Sequence, residues 1–327
     1  MLFEWGPRRS ISKTLHIVDG QSTGGTLRLS GLPKGRDILP WKDALYTGPV
    51  PAGLGLKRLS QVRSRFWTKG KRQDEFEQRN ALLVGWKQYD ELVLWFGATS
   101  LCELSLAQIL TWFSQRELAD RKLSLVTVYA GTLRAEQLRD PYAVRKPVSA
   151  GQLQLAKRFW NAFTAPTPEP LQRLLKSGLR LLPEIRPTVD ELLQEYPGAH
   201  DGLSRLERKL LHEIDGLGVA TAAFVVGSVI RREWVGDLLL YDMLRRFVAA
   251  RSPLLTFAGP FTEKFESYEF SGAKLTLTAF GGRVLAGKAD HVATNGIDRW
   301  IGGVHLNGTR VRWRWGERQH RIISSRA

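Results

Sequence analysis

A chain of 327 residues is longer than one ordinary domain and has room for two or three, each with its own core. Its single cysteine, Cys102, excludes an internal disulfide and fits a reducing, cytoplasmic location. With 48 lysines and arginines against 32 aspartates and glutamates, the net charge is +16, which favours nucleic acid or a phosphorylated ligand as partner. No apolar run reaches the roughly 20 residues that cross a bilayer, and the first residues lack the apolar block of a secretory signal, so we expect no membrane association.

Residues 12–140 alternate strand-like and helix-like segments, which predicts an α/β domain with a mostly parallel sheet and flanking helices. Pro40 favours a sheet edge or a strand end over a central position for the second strand, and the continuous apolar run of the third indicates burial on both faces. The predicted strands are TLHIV (14–18), DILPW (37–41), ELVLWFG (91–97) and KLSLVTVYA (122–130).

Helices are predicted between these strands from the spacing of their apolar residues. Ser100, with Glu103 three residues on, has the pattern of a capping box that starts the last of them. The predicted helices are 24–32; 54–67 with Leu54, Leu59, Val62 and Phe66 inward; 73–89 with Phe76, Leu82, Leu83 and Trp86 inward; and the one from Ser100.

Residues 141–200 contain proline-rich breaks around helical segments, which predicts a helical bridge. Residues 201–327 are predicted to be a C-terminal α+β domain. Its first helix starts at a capping box, Ser204 with Glu207, and has Leu203, Leu206, Leu210 and Ile214 at helical spacing. Two further helices and the extended pieces PLLTF, KLTLTAF and RVLAG follow. This order is typical of a winged helix with LTLTAFGGRVLAG as wing segment, although other α+β domains share it.

The tail predicts an added β-hairpin, because Asn307-Gly308 favours a type I′ turn. Beyond it, three arginines alternate with Val311, Trp313 and Trp315, so one strand face would be basic. A phosphate-contacting ladder and a half-buried strand with a solvated basic face both fit this pattern.

Seven basic residues and no acid also lie between Lys57 and Arg72. The predicted nucleic-acid contacts from the two basic regions are Arg63, Arg65, Lys69, Lys71, Arg72, Arg310, Arg312 and Arg314.

The loop in HIVDGQSTGG has P-loop spacing between Gly20 and Gly25, but Thr26 and Leu27 stand where lysine and a hydroxyl residue would be required. The pattern therefore disfavours a P-loop ATPase, while backbone amides at a helix start remain able to bind an anion. The predicted anion-binding residues are Gly20, Ser22, Thr23, Gly24 and Gly25.

Candidate catalytic residues are His16, Ser22 and Asp43, none of them in a recognised triad. A turn or helix cap is the other interpretation of Asp43. With one cysteine and no H-E-x-x-H, we expect neither metal nor cofactor.

The strings LHIVDGQSTGGTLR, ILPWKDALYTGPV, LVLWFG and NGIDRWIGGVHL together resemble a bacterial two-domain family of unknown function. Its N-terminal α/β domain opens on an HIxxGDS-like string, and its C-terminal domain has an Asp-Arg signature. Gln21 stands where the family string usually has Asp, which favours binding over catalysis. The positions that match the family are His16, Gly20, Ser22, Asp43, Gly48, Pro49, Trp95, Asp298 and Arg299. We expect Asp298 and Arg299 to be a structural polar pair.

Two hypotheses follow. The first is a regulatory cytoplasmic protein that binds nucleic acid or another polyanion, with affinity that falls steeply with salt. The second is an α/β enzyme for a phosphorylated or nucleotide substrate, with a crevice built from His16, Ser22, Asp43 and the loop after Trp95. A protein-interaction scaffold is a third possibility.

Overall fold

The computed structural model describes residues 13–32, 36–71, 73–128, 132–233, 235–259 and 269–324. These residues form two compact units. Unit 1 lies within Met1–Asp43, Leu54–Ala98 and Cys102–Trp160, and unit 2 within Ala44–Gly53, Thr99–Leu101 and Asn161–Ala327. The helices in the described part of the chain are all too short or too polar to cross a membrane. The division into 12–140, 141–200 and 201–327 stays a prediction.

Unit 1 contains a five-stranded sheet in the order β2-β1-β3-β4-β5. The first four strands run parallel, and only β5 is antiparallel, which confirms the predicted mostly parallel sheet. Pro40 lies on an edge strand and β3 is buried along its whole length, both as predicted. The strands are β1 Thr14–Val18, β2 Arg36–Pro40, β3 Glu91–Phe96, β4 Lys122–Thr127 and β5 Lys146–Pro147.

The described residues of this part of the chain form six α-helices. The first two residues of α4 and the last three of α6 belong to unit 2. The helix after β1 begins at Gln21, three residues before the predicted start, and its buried side packs with Val18, Val93 and Trp95 of the sheet. The helices are α1 Gln21–Leu29, α2 Leu56–Thr68, α3 Gln73–Val84, α4 Ser100–Phe113, α5 Arg139–Ala143 and α6 Ala150–Phe163.

The prediction for the inner face of α2 is wrong: the buried side is rotated from the predicted side by about one residue position around the helix axis. Phe66, expected to point inward, is 42% exposed. Polar residues occupy much of the buried side instead, because their side chains form hydrogen bonds within unit 1, as described below. The buried residues of α2 are Leu59, Ser60, Arg63 and Ser64. In α3, Phe76 and Leu83 are buried as predicted, but Leu82 is 37% exposed.

Helix α4 starts at Ser100, as predicted, while the capping box of Ser100 with Glu103 stays a prediction. Ser100 is the first residue of the helix, and its hydroxyl contacts the Glu191 carboxylate.

Unit 2 contains α7 Glu169–Leu174, α8 Ile185–Gln194, α9 Arg205–Leu217, α10 Ala222–Ile230, α11 Asp237–Ala249, α12 Ala279–Leu285 and α13 His291–Asn295. Helices α9, α10 and α11 share one apolar core, to which Leu210, Val225 and Leu244 contribute. The capping box that starts α9 is confirmed: the Ser204 hydroxyl accepts from the amide of Glu207, and the Glu207 carboxylate accepts from the amide of Ser204.

A three-stranded antiparallel sheet in the order β6-β8-β7 lies beside these helices. Its strands are β6 Ala220–Thr221, β7 Leu255–Ala258 and β8 Lys274–Leu277. The prediction that RVLAG is extended is wrong, because α12 begins directly after β8 and includes most of these residues. Thr278 caps that helix by accepting from the amide of Gly281 at 2.8 Å.

The C-terminal part of unit 2 consists of two antiparallel hairpins, β9 Ile297–Ile301 with β10 Val304–Gly308, and β11 Trp313–Gly316 with β12 Arg321–Ser324. A hairpin is therefore present, but the turn predicted at Asn307-Gly308 is wrong, because those residues end β10. The turn lies at Gly302 and Gly303, where an added Cβ would meet the carbonyl oxygens of Phe163 at 2.0 Å and Thr164 at 1.9 Å. This close backbone approach selects the glycines of the turn.

Candidate nucleic-acid interface

Helix α2 and the residues after it present a row of cations to solvent: Lys57, Arg58, Arg65, Lys69 and Lys71, called here the α2 basic face. All five are exposed, and no ion pair with a described residue engages any of them. Arg58 and Arg65 are separated by seven residues and therefore lie along one side of the helix, and Lys69 follows its last residue. The face ends before α3, whose first turn contains Asp74 and Glu75. Glu75 in turn lies 3.8 Å from Lys42.

The buried side of α2 is held by one carboxylate. Asp43 follows β2, and its Oδ1 accepts from Arg63 Nε at 2.9 Å and lies 2.8 Å from Arg63 Nη2. The Arg63 side chain is fully buried, so this charge is stable only with a carboxylate beside it. Arg63 was predicted to contact nucleic acid, and its burial corrects that prediction: it supports α2 from beneath.

A second buried arginine approaches the same carboxylate. Arg79 Nη1 lies 3.9 Å from Asp43 Oδ2, and neither of these two atoms has a hydrogen-bond partner. Arg79 Nη2 donates to Ser60 Oγ at 2.9 Å, and its guanidinium lies 4.1 Å from the centre of the Trp41 ring. Burial lowers the pKa of Arg79 to about 10, with Asp43 opposing that shift and Arg63 adding to it. Arg79 is therefore charged at neutral pH, and the two arginines share one aspartate.

The candidate catalytic residues have three different surroundings. His16 is buried in β1, where its Nδ1 accepts from the indole Nε1 of Trp95 at 2.9 Å and its ring lies 5.8 Å from that of Tyr142. Because an indole nitrogen can only donate, this bond assigns the proton of a neutral His16 ring to Nε2. Ser22 is exposed on α1, and Asp43 is the buried partner of Arg63.

The predicted anion loop is the start of α1. Gly20 precedes the helix in an extended conformation and gives no side-chain cap, while the side chain of Thr23 is buried. Gly24 packs against β2, with Pro40 and Ile38 within 3.5 Å of where a Cβ would lie. Because the strand order reverses between β1 and β3, the carboxyl ends of these two strands frame the crevice where such sheets bind ligands. Anion binding by Gly20, Ser22, Thr23, Gly24 and Gly25 stays a prediction.

The arginines of the tail do not form the predicted ladder. Arg310 and Arg312 precede β11 and are exposed. Arg314, by contrast, is buried and pairs with Asp290 at 3.0 Å, so it is removed from the set of solvent-facing cations. Arg72 lies outside the described residues.

Asp298 and Arg299 do not pair with each other, because consecutive strand residues point to opposite faces. Asp298 Oδ1 lies 2.7 Å from His305 Nε2, whereas Arg299 contacts the Glu207 carboxylate. The expected structural pair is thus two separate contacts. In the described part of the chain, no three histidine, cysteine or acidic residues are grouped closely enough to hold a metal ion.

Several arginines of unit 2, unlike those of the α2 basic face, are engaged by carboxylates. On α11, Arg245 and Arg246 both bind Asp242, at 2.5 and 2.7 Å. Elsewhere the pairs are Arg205 with Glu195 and Glu233, Arg208 with Asp201 and Glu317, Arg232 with Glu213, Arg299 with Glu207, and Arg314 with Asp290.

Sequence reasoning missed the supporting role of Arg79 and the exposure of Phe66 and Trp67. A signal for the aromatic pair was present: adjacent residues on a helix point about 100° apart, so one narrow buried face rarely covers both. No corresponding local signal marks Arg79, because its partner Asp43 is distant in sequence.

No protein-family model matches the chain, and a comparison with curated proteins finds no match. The resemblance to a bacterial family of unknown function therefore stays a prediction.

Proposed function

We propose that the protein binds nucleic acid or another polyanion through the α2 basic face. The observation that supports this most strongly is the set of five exposed cations without ion pairs to described residues, on a chain with a net charge of +16. Unpaired surface cations attract phosphates at long range and release condensed counterions when they bind them.

We further propose that helices α9 to α11 and the sheet beside them are a winged-helix-like arrangement. Two observations support this: the element order of helix, short strand, two helices and two strands, and the antiparallel strand order β6-β8-β7. The arginines of α11 are paired with Asp242, so we assign the main phosphate contacts to α2.

The alternative of an α/β enzyme is less well supported. It requires His16 and Asp43 to be available to a substrate. His16 is instead bonded to Trp95 within the sheet, and Asp43 neutralises Arg63. Both side chains are buried, which favours binding over catalysis at this part of unit 1.

The proposal is tested by the salt dependence of binding. Anisotropy of a fluorescein-labelled single-stranded oligonucleotide is titrated with the full chain between about 50 and 200 mM salt. Five phosphate contacts predict a slope of log K against log salt of about −3.5. The uncharged peptide nucleic acid of the same sequence is the control and should not bind. No binding at the lower salt concentration, or an affinity that does not change with salt, would contradict the proposal.

A further inference from the structure

Two aromatic side chains stand exposed at the end of α2, directly beside the basic face. Phe66 is 42% exposed and Trp67 36% exposed, although both are large apolar residues on a helix that has a well-defined buried side. Their ring centres are 5.3 Å apart with an interplanar angle of 74°, so the two rings present different surfaces to solvent.

The two rings are held in place from beneath. The Arg63 guanidinium lies 5.6 Å from the centre of the Phe66 ring and 5.8 Å from that of Trp67. Arg63 is itself bound to Asp43, and the Trp67 indole nitrogen lies 3.4 Å from the same Asp43 oxygen. Since the only polar atom of Trp67 is directed at this carboxylate, the exposed part of the side chain is purely aromatic. A ring supported in this way loses little conformational freedom when a ligand stacks on it.

Cations flank these two rings along the chain. Arg65 precedes the pair, Lys69 follows it and Lys71 lies just beyond, all exposed and unpaired with described residues. A single nucleic-acid strand offers a ligand group to both kinds of side chain, because it has phosphates for the cations and bases that are free to stack on the rings. A duplex keeps its bases stacked inside, so it offers phosphates to the cations and nothing to the rings.

We infer that Phe66 and Trp67 are a stacking platform that makes the α2 basic face selective for single-stranded nucleic acid. The inference rests on the proposed function and adds the class of ligand. Stacking of a base on Phe66 contributes affinity that the cations alone do not, whereas duplex binding depends on the cations only.

The test compares three labelled probes by anisotropy: a 12-nucleotide thymidine strand, a duplex of equal phosphate number, and a 12-unit strand of abasic sugar phosphates. Phe66→Ala is compared with Leu82→Ala, which removes a similarly exposed apolar side chain from α3. We expect Phe66→Ala to weaken thymidine-strand binding by about 5- to 150-fold and to leave duplex and abasic binding within about twofold. Leu82→Ala should behave as the unsubstituted protein.

The comparison of the abasic and thymidine strands uses only the unsubstituted protein, so its result does not depend on whether a variant folds. The unsubstituted protein should bind the abasic strand at least as weakly as Phe66→Ala binds the thymidine strand, because the abasic strand cannot stack on Phe66 or on Trp67. Equal affinity of the unsubstituted protein for the abasic and thymidine strands overturns the inference. If binding is salt-dependent but Phe66→Ala and Leu82→Ala are equal, the inference fails while the proposed function stands; if no probe binds, both fail. Displacement of the thymidine strand by a 12-residue polyglutamate at equal concentration would overturn the inference in favour of an acidic protein partner.

Discussion

On the α2 basic face, five lysines and arginines are exposed without an ion pair to any described residue, whereas in unit 2 the arginines Arg205, Arg208 and Arg299 each contact at least one carboxylate. Both groups count equally toward the net charge of the chain. The electrostatic fields around the two groups differ, because the charge of a paired arginine is neutralised by its carboxylate and attracts a phosphate only weakly. If the proposed function is correct, the position of the unpaired cations, more than their number, decides where a polyanion binds.

The buried charges differ in a second way. Arg63 and Arg79 in unit 1 share the single carboxylate of Asp43. Arg205 in unit 2 lies near three glutamates, Glu195 at 3.2 Å, Glu191 at 3.9 Å, and Glu233. Loss of one carboxylate should therefore lower the free energy of unfolding strongly in unit 1 and only slightly in unit 2.

The largest expected effect is that of Asp43→Ala. The substitution leaves the fully buried Arg63 without the carboxylate it is bonded to, and removing one partner of a buried pair costs about 3–5 kcal/mol. We expect the free energy of unfolding of unit 1 to fall by that amount in urea titrations. Asp298→Ala, which removes a 76% exposed carboxylate, is the control and should change it by less than about 1 kcal/mol. Equal losses of unfolding free energy in the two variants would contradict the conclusion that Arg63 depends on Asp43.

A smaller effect is expected from Glu233→Gln in unit 2. Glu233 binds both Arg205 and Lys209, and these cations hold its pKa below the ordinary value even though burial acts to raise it. Arg205 keeps Glu195 as a partner after the change, so the loss in unfolding free energy should be about 1–2 kcal/mol by urea titration. A loss as large as that of Asp43→Ala would show that the charges of unit 2 are not redundant.

The smallest stability effect concerns pH. Burial lowers the pKa of His291, and Arg299 adds to that shift while Glu207, Asp290 and Asp201 oppose it. The unfolded chain therefore binds a proton near pH 6.5 that the folded unit resists, so stability falls as pH falls through that value. In His291→Gln this part of the pH dependence should be absent. Urea titrations between about pH 7.5 and 5.5 would contradict this explanation if both proteins lost stability equally.

Local sequence signals predicted those features that depend on local chemistry. Pro40 cannot donate to a neighbouring strand and so lies at the sheet edge, and Ser204 with Glu207 caps α9 because both partners are three residues apart. The cap of α12 had the same kind of signal in Thr278, which the apolar pattern of RVLAG obscured.

Features that depend on distant contacts could not be predicted this way. The hairpin turn lies at Gly302 and Gly303 because the backbone near Phe163 leaves no room for a Cβ, a constraint that outweighs the local preference of Asn307-Gly308. The burial of Arg314 likewise depends on Asp290, which its alternation with tryptophans does not reveal. For the candidate interface, the sequence indicated the basic segment but not which of its cations face solvent.

The most direct test of the central claim compares two matched double variants. Arg58→Gln with Arg65→Gln removes two unpaired cations from α2, whereas Arg245→Gln with Arg246→Gln removes two that are paired with Asp242 on α11, and both change the net charge equally. The measurement is the slope of log K against log salt for a single-stranded oligonucleotide. The α2 variant should make this slope shallower by about 1.4, and the α11 variant should leave it nearly unchanged. Equal changes in both variants, or a larger change for α11, would contradict the claim that unpaired cations on α2 bind the polyanion.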